Sequence, residues 1–328
     1  MPRENSSKTS FFARCAHSER SVFRVIYFYK TIDGAIREVD AIEPGVWVEL
    51  TSPTADEIER IASELAVERD YITAALDEEE TSRVEVEDDH TLIMVDMPTV
   101  DDGESHVLYS TLPLGIIVTD ENIVTVSLRE NPIVDSMRTA KLNTAHKTRF
   151  IFTLLLRIAG RYNLYLRQIE RISSSIERKL YKSQRNKELI QLLDLEKSLV
   201  FFSTSLKANE VTLDKIMRGR VIKLYEEDQD LLEDVLIEVR QAIEMANIYS
   251  SILSGTMDAF ASVISNNLNV TMKRLASLTV LIEIPTIIYS LYGMNVDGLP
   301  MAHFWFPMAL SGGLMLIVFL ILHKLKLL

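Results

Sequence analysis

The sequence predicts an α+β membrane protein with an N-terminal α/β domain, a long helical stalk and two C-terminal transmembrane helices. Three observations carry this reading. Runs rich in β-branched and aromatic residues, the mark of strands, are confined to the chain before Pro132. From Pro132 onward the pattern is that of long amphipathic helices, with no further convincing strand. Near the C-terminus, "FWFPMALSGGLMLIVFLIL" (Phe304–Leu322) runs 19 residues without a charge, enough to cross a bilayer core as a helix.

The elements follow in order. Residues 1–20 carry charges throughout and no apolar core, so they read as a flexible tail and not as a signal peptide. Residues 21–131 form the α/β domain. Its strand candidates are Val22–Lys30, Gly45–Leu50, Thr91–Pro98, Leu112–Thr119 and Asn122–Leu128, with Ser82–His90 alternating like an exposed strand. A helix is expected over Ser52–Leu65, with a proline and acidic residues in its first turn. A shorter one covers Arg69–Leu76 and leads into the acidic run "LDEEE" (Leu76–Glu80). Residues 132–219 hold two long helices, Arg149–Ser183 and Asn186–Gly219, with Gly219 as a stop. The next helix starts near Glu226 and meets no proline before Pro285, so residues 220–275 form a stalk that continues into a first span, residues 276–292. From Glu226 to Tyr292 such a helix measures about 100 Å and needs partners. Residues 293–303 make a connecting loop, 304–322 a second span, and 323–328 a basic end.

Composition narrows the function classes. Of 328 residues, 25% are charged and 47% hydrophobic, an ordinary globular balance that argues against disorder. A net charge of −12 speaks against nucleic acid as a partner and is compatible with cations. The single cysteine, Cys15, excludes an internal disulfide framework and a cysteine-type metal site, and suits a reducing compartment. The histidines (His17, His90, His106, His146, His303 and His323) show no metal-ligand spacing, and there is no glycine-rich phosphate loop. No catalytic constellation survives, so an enzyme is not expected.

Topology follows from the flanks. Lys273 and Arg274 precede the first span and Lys324 and Lys326 follow the second, whereas the loop between them carries Asp297 and His303. The positive-inside rule places both termini in the cytoplasm and the loop outside. Steps of three and four along the first span pick out Asn269, Met272, Ala276, Thr279, Glu283, Thr286, Ser290 and Gly293, a seam that is small or polar almost throughout. Neighbours such as Leu278, Val280, Leu281, Ile284, Ile287 and Ile288 are aliphatic. A repeat of this period keeps one stripe facing a common axis. The stripe suits either close helix packing or the lining of an aqueous pore. Glu283, a carboxylate at mid-span with no lysine or arginine in either span, favours the pore.

The turn "YGMN" (Tyr292–Asn295) closes the first of two terminal spans, after a large acidic cytosolic part, and "SNNLNVTMKRL" (Ser265–Leu275) precedes it. In these features the chain resembles the CorA family of divalent-cation channels, the magnesium transporters with the GMN signature. The resemblance implies a homopentameric funnel whose pore is built from the first span of each subunit, in the cytoplasmic membrane. It implies passive uptake of Mg2+, with Co2+ and Ni2+ as further ions, and Mg2+ as both transported and regulatory ion. Partners are then other copies of the chain, membrane lipid and divalent cations, with no organic cofactor.

Carried over by position, the outer selectivity residues are Gly293, Met294 and Asn295. Asn269 matches a polar ring lower in the pore, Met272 and Leu275 a hydrophobic constriction, and Thr286 a pore-lining hydroxyl. Asp234 matches an aspartate that binds regulatory magnesium between subunits. The family's partner aspartate falls on Ala74 here, and Asp77 and the glutamates from Glu78 to Glu80 are the nearby carboxylates that could substitute. Glu283 stands where familiar members carry an apolar residue, Ser290 replaces a glycine, and the loop "VDGLPMAHF" is poor in acid. A zinc or proton-coupled transporter using Glu283 is the second reading, and a membrane-anchored oligomeric scaffold the third.

Overall fold

The computed structural model describes residues 25–87, 90–102, 107–183, 186–218, 221–223, 225–295, 299, 301 and 303–327. The expected N-terminal tail with Cys15 and His17, the start of the first strand candidate, His106, the Gly219 helix stop and Asp297 of the loop lie outside the described residues. The chain divides into two compact units, residues 1–252 and 253–328, each considered by itself.

The first unit is organised by one seven-stranded sheet. Its strands are β1 (Ile26–Ile32), β2 (Ala35–Val39), β3 (Trp47–Thr51), β4 (Arg83–Val86), β5 (His90–Asp102), β6 (Val107–Thr119) and β7 (Ile123–Ser127). They lie in the order β2-β1-β3-β7-β6-β5-β4, and only β3 and β7 run parallel. β2 was not anticipated, although its cause is local. Asp33 and Gly34 both adopt positive φ (53° and 77°), the two-residue turn that matches the twist of a hairpin.

The sheet is covered on both faces, so β3 and β7 are buried along their length instead of alternating. On one face Val46, Val48 and Leu50 meet α1 (Ala55–Leu65) and α2 (Arg69–Ala74) in a core that includes Ile58, Ile61, Tyr71 and Ile72. α1 begins at a capping box: Thr54 and Glu57 exchange side-chain-to-backbone hydrogen bonds. Pro53 therefore precedes the cap, outside the first turn where the sequence suggested it.

The other face is covered by α3 (Pro132–Met137), α4 (Lys147–Ser183) and α5 (Asn186–Arg218). The Trp47 and Phe150 rings lie 5.0 Å apart, as do those of Tyr162 and Phe202. Polar bonds fix the register. Asn209 of α5 receives the Asp96 N–H (2.9 Å) and donates to the Asp96 carbonyl (2.8 Å), stitching the helix to β5. The Glu49 carboxylate, 2% exposed, is held by both Nε (3.0 Å) and Nη2 (2.7 Å) of Arg138, just past α3. Burial pushes the Glu49 carboxyl upward, and the guanidinium pulls it back. The first part of α6 (Glu226–Tyr292) packs here through Leu232, Val235, Val239 and Ala242, and Asn163 of α4 donates to Glu238 Oε2 at 2.6 Å.

α2 is seated by a close approach to β6. A methyl added at Gly115 would lie 2.6 Å from the Ala75 Cβ, inside any tolerable contact. Gly115→Ala is therefore expected to destabilise the first unit by about 1–3 kcal/mol, and adding Ala75→Gly to recover most of the loss. Denaturation midpoints of the single and double variants check this.

Candidate functional site: the polar seam of α6

The second unit contains the rest of α6 and α7 (Trp305–Lys324), both long and apolar enough to cross a membrane. They form an antiparallel pair. Ser277 Oγ, 2.9 Å from the Lys273 carbonyl, also lies 3.2 Å from the Leu327 carbonyl, the Tyr289 and Ser311 hydroxyls meet at 3.2 Å, and the Tyr292 and Phe306 rings lie 6.2 Å apart. This register brings Lys273 and Arg274 to the same end of the pair as Lys324 and Lys326.

The contact uses one face of α6. Ser277, Leu281 and Ile288 are buried, whereas Ile284, Pro285 and Tyr292 on the same side are partly covered. At 3.6 residues per turn the seam lies on the opposite side. Asn269, Met272, Ala276, Thr279, Glu283, Thr286, Ser290 and Gly293 are all exposed, as is Leu275 at the seam's edge. Exposed apolar residues flank it, Leu278, Ile282 and Tyr289 on one side and Val280, Ile287 and Leu291 on the other. The α6 circumference thus reads as an α7 face, two greasy flanks and one polar stripe. Sequence periodicity had the stripe; it did not show Ser277, Tyr289 and Ser311 as the polar contacts that turn it away from α7. The small-residue run "SGG" (Ser311–Gly313) was the available signal.

The seam's hydroxyls have a defined polarity. Thr279 Oγ1 donates to the Leu275 carbonyl (2.9 Å) and Thr286 Oγ1 to the Ile282 carbonyl (3.1 Å). Each proton is committed to the helix, so each oxygen presents lone pairs to whatever occupies the stripe. Between the two threonines stands Glu283. A charge at mid-bilayer costs about 2.5–3.5 kcal/mol by insertion scales, so such a side chain faces water or a partner. At the end of α6, the Gly293 N–H donates to the Tyr289 carbonyl (2.9 Å), and a Cβ there would sit 3.2 Å from that oxygen. Gly293 thus permits a tight last turn, after which Met294 and Asn295 are exposed. The donor set offers neutral amide and hydroxyl oxygens with one carboxylate, which suits a hard, hydrated cation.

The carboxylates named for regulation are not gathered within one chain. Asp234 is exposed on α6, and Asp77 and Glu78 are exposed in the turn after α2. Asp77 Oδ1 accepts from the Glu79 N–H at 3.0 Å. Glu80, beside them, pairs with Arg83. Among the described residues no three acidic, histidine or cysteine side chains form a metal-holding group.

Comparison with known proteins shows the family and the fold. A family described as "CorA-like Mg2+ transporter protein" matches residues 43–324. The cobalt/magnesium transport protein CorA of Methanocaldococcus jannaschii is 28% identical over 278 residues, covering 81% of this chain and 86% of that protein. The complete structure of the CorA magnesium transporter from the same organism aligns with a TM-score of 0.77 at 22% identity, over 92% of this chain and 97% of that one. The full-length CmaX protein gives 0.69 at 16% identity over 92% and 97%, and the ZntB cytoplasmic domain of Vibrio parahaemolyticus 0.57 at 12% over 74% and 97%. At these identities the structural likenesses show the fold. With most of its length matched by the family, this chain belongs to the CorA-like Mg2+ transporter family: a membrane protein with two C-terminal spans, and a transporter, not an enzyme.

Proposed function

We propose that the chain forms a homopentameric channel for passive uptake of Mg2+, and of Co2+ and Ni2+ as further ions, across the cytoplasmic membrane. The observation that carries this reading is the polar seam of α6, exposed from Asn269 to Gly293 on the side away from α7 and ending at the "GMN" turn. A symmetric ring of copies turns that stripe to a common axis, where water and cations meet it, and leaves the greasy flanks to neighbours and lipid. The name of the M. jannaschii relative, a cobalt/magnesium transport protein, supports the choice of ion. Both basic ends lie at one end of the helix pair, which supports cytoplasmic termini and an outward loop.

Self-association also has support in the first unit. α5 exposes Ile190, Leu193, Val200, Phe201 and Val211 on the side opposite its buried Leu195, Leu199, Phe202 and Leu206. α6 likewise exposes Ile237 and Ile248 opposite Val235, Val239 and Ala246. Apolar helix faces of this kind suit contact with further copies.

Selectivity is assigned to Gly293, Met294 and Asn295. Magnesium sheds its water shell reluctantly, so a ring of neutral amide oxygens can hold the hydrated ion by hydrogen bonds without trapping it. Lower in the path, Asn269 supplies a second amide ring, and Met272 and Leu275 an apolar constriction. Regulation is assigned to Asp234 with Asp77 or Glu78 of a neighbouring copy, all exposed and free to repel one another until a cation bridges them.

Flux into proteoliposomes tests the reading. Mg2+ and Co2+ are expected to enter down their gradients, and Asn295→Ala to slow entry roughly tenfold, about 1.4 kcal/mol. If Mg2+, Co2+, Ni2+ and Zn2+ all stay outside, the channel reading is wrong. For regulation, bound Mg2+ is expected to slow proteolysis of the wild type, and Asp234→Asn to weaken that protection. Superimposable proteolysis curves for the two proteins remove Asp234 from the account.

A further inference from the structure

We propose that Glu283 builds a proton-competed binding site for a hydrated divalent cation half-way along the membrane path, one carboxylate coming from each copy of the chain. The proposal rests on the channel reading and adds a second, anionic site to it. Glu283 is the only carboxylate between Asp258 and Asp297, and no lysine or arginine lies between Arg274 and Lys324. It stands about 14 Å along the helix from Arg274 and about 18 Å from Asn295, beyond any direct pairing.

The structure gives this carboxylate one direction in which to find a partner. α7 covers the opposite face of α6 through Leu281 and Ile288, and its segment from Phe304 to Leu322 carries no charge. The titratable groups of that pair are remote or engaged. Tyr289 meets Ser311, Tyr292 packs against Phe306, and His303, His323, Lys324 and Lys326 lie at the ends of α7. The flanks beside Glu283 are Ile282 and Val280, both exposed and apolar. What faces Glu283 is therefore the interior of the ring, including the Glu283 side chains of the other copies.

Two neighbours turn a lone carboxylate into a site. Thr279 and Thr286 lie about one turn to either side on the same exposed stripe, with their protons committed to the Leu275 and Ile282 carbonyls. Their oxygens accept hydrogen bonds from the ion's water shell while the carboxylates neutralise its charge. A cation in this ring and protons on its carboxylates satisfy the same need, so they exclude one another. When Glu283 is ionised the ring attracts a divalent cation; when it is protonated the ring is neutral and releases it. Cation entry then falls as pH falls.

Two measurements on the full chain test this. Purified protein is treated with N,N′-dicyclohexylcarbodiimide, which modifies protonated membrane carboxyls, and labelling of Glu283 is read by mass spectrometry. Labelling is expected to rise with acid and to be suppressed by Mg2+ or Co2+. In proteoliposomes, wild-type Mg2+ uptake is expected to fall at least about threefold on acidification, because protons and the cation compete for the same oxygens. Glu283→Gln should flatten that profile and Glu283→Asp should keep it. Labelling that ignores both cations overturns the site. So does the same pH profile in wild type and Glu283→Gln. Cation-suppressed labelling without any flux would leave the site standing and overturn the channel reading beneath it.

Discussion

A helix in hydrocarbon cannot leave a polar stripe against lipid, and the structure of this chain turns on that constraint. Among the described residues of the second unit, α6 packs against α7, which takes the face of Ser277, Leu281 and Ile288. The stripe from Asn269 to Gly293, with a carboxylate at its middle, points the other way. Left to lipid, each copy would carry a cost of several kcal/mol. Assembly around water removes that cost. In the proposed ring, oligomer and permeation path are one solution to one problem, since association hides the stripe and hiding it makes a lined channel.

The chemistry along the stripe divides the work. At the outer end Gly293 allows a tight last turn, and in the proposed channel Asn295 offers an uncharged amide, a weak and reversible handle on a hydrated ion. In the proposed mid-span site, Glu283 offers a carboxylate, which holds a cation more firmly than an amide does. A path with a weak outer site and a stronger inner one can draw an ion inward, and release from the inner site then depends on the next ion or on pH.

Much of this was legible in the residues. The unbroken run of α6 from Glu226 follows from the absence of a proline before Pro285, although the helix continues through Pro285 to Tyr292, and the stripe follows from a repeat of three and four. Other parts depend on contacts that periodicity does not encode. The strand β2 was missed although Asp33-Gly34 is a strong hairpin signal, because Ala35–Val39 is short and half exposed. α3 was missed although Asn131 caps it and Pro132 opens it. That α4 and α5 roof the second face of the sheet is fixed by Trp47 and Asn209, residues whose partners lie far along the chain. The face of α6 turned to α7 was equally hidden, since it is set by where Tyr289 meets Ser311. The carboxylates proposed for regulation are legible only as exposed acids, because their proposed partners belong to another copy.

The central claim is that the stripe faces water and the flanks do not. Single cysteines placed from Leu278 to Thr286 in a Cys15→Ser background, probed in membranes with a small water-borne thiol reagent, test it directly. Cysteines at Thr279, Glu283 and Thr286 are expected to react fastest, those at Leu278, Val280 and Ile282 slowly, and one at Leu281 slowest of all. Reactivity that peaks at Leu278 and Ile282, or that shows no helical period, would contradict the account.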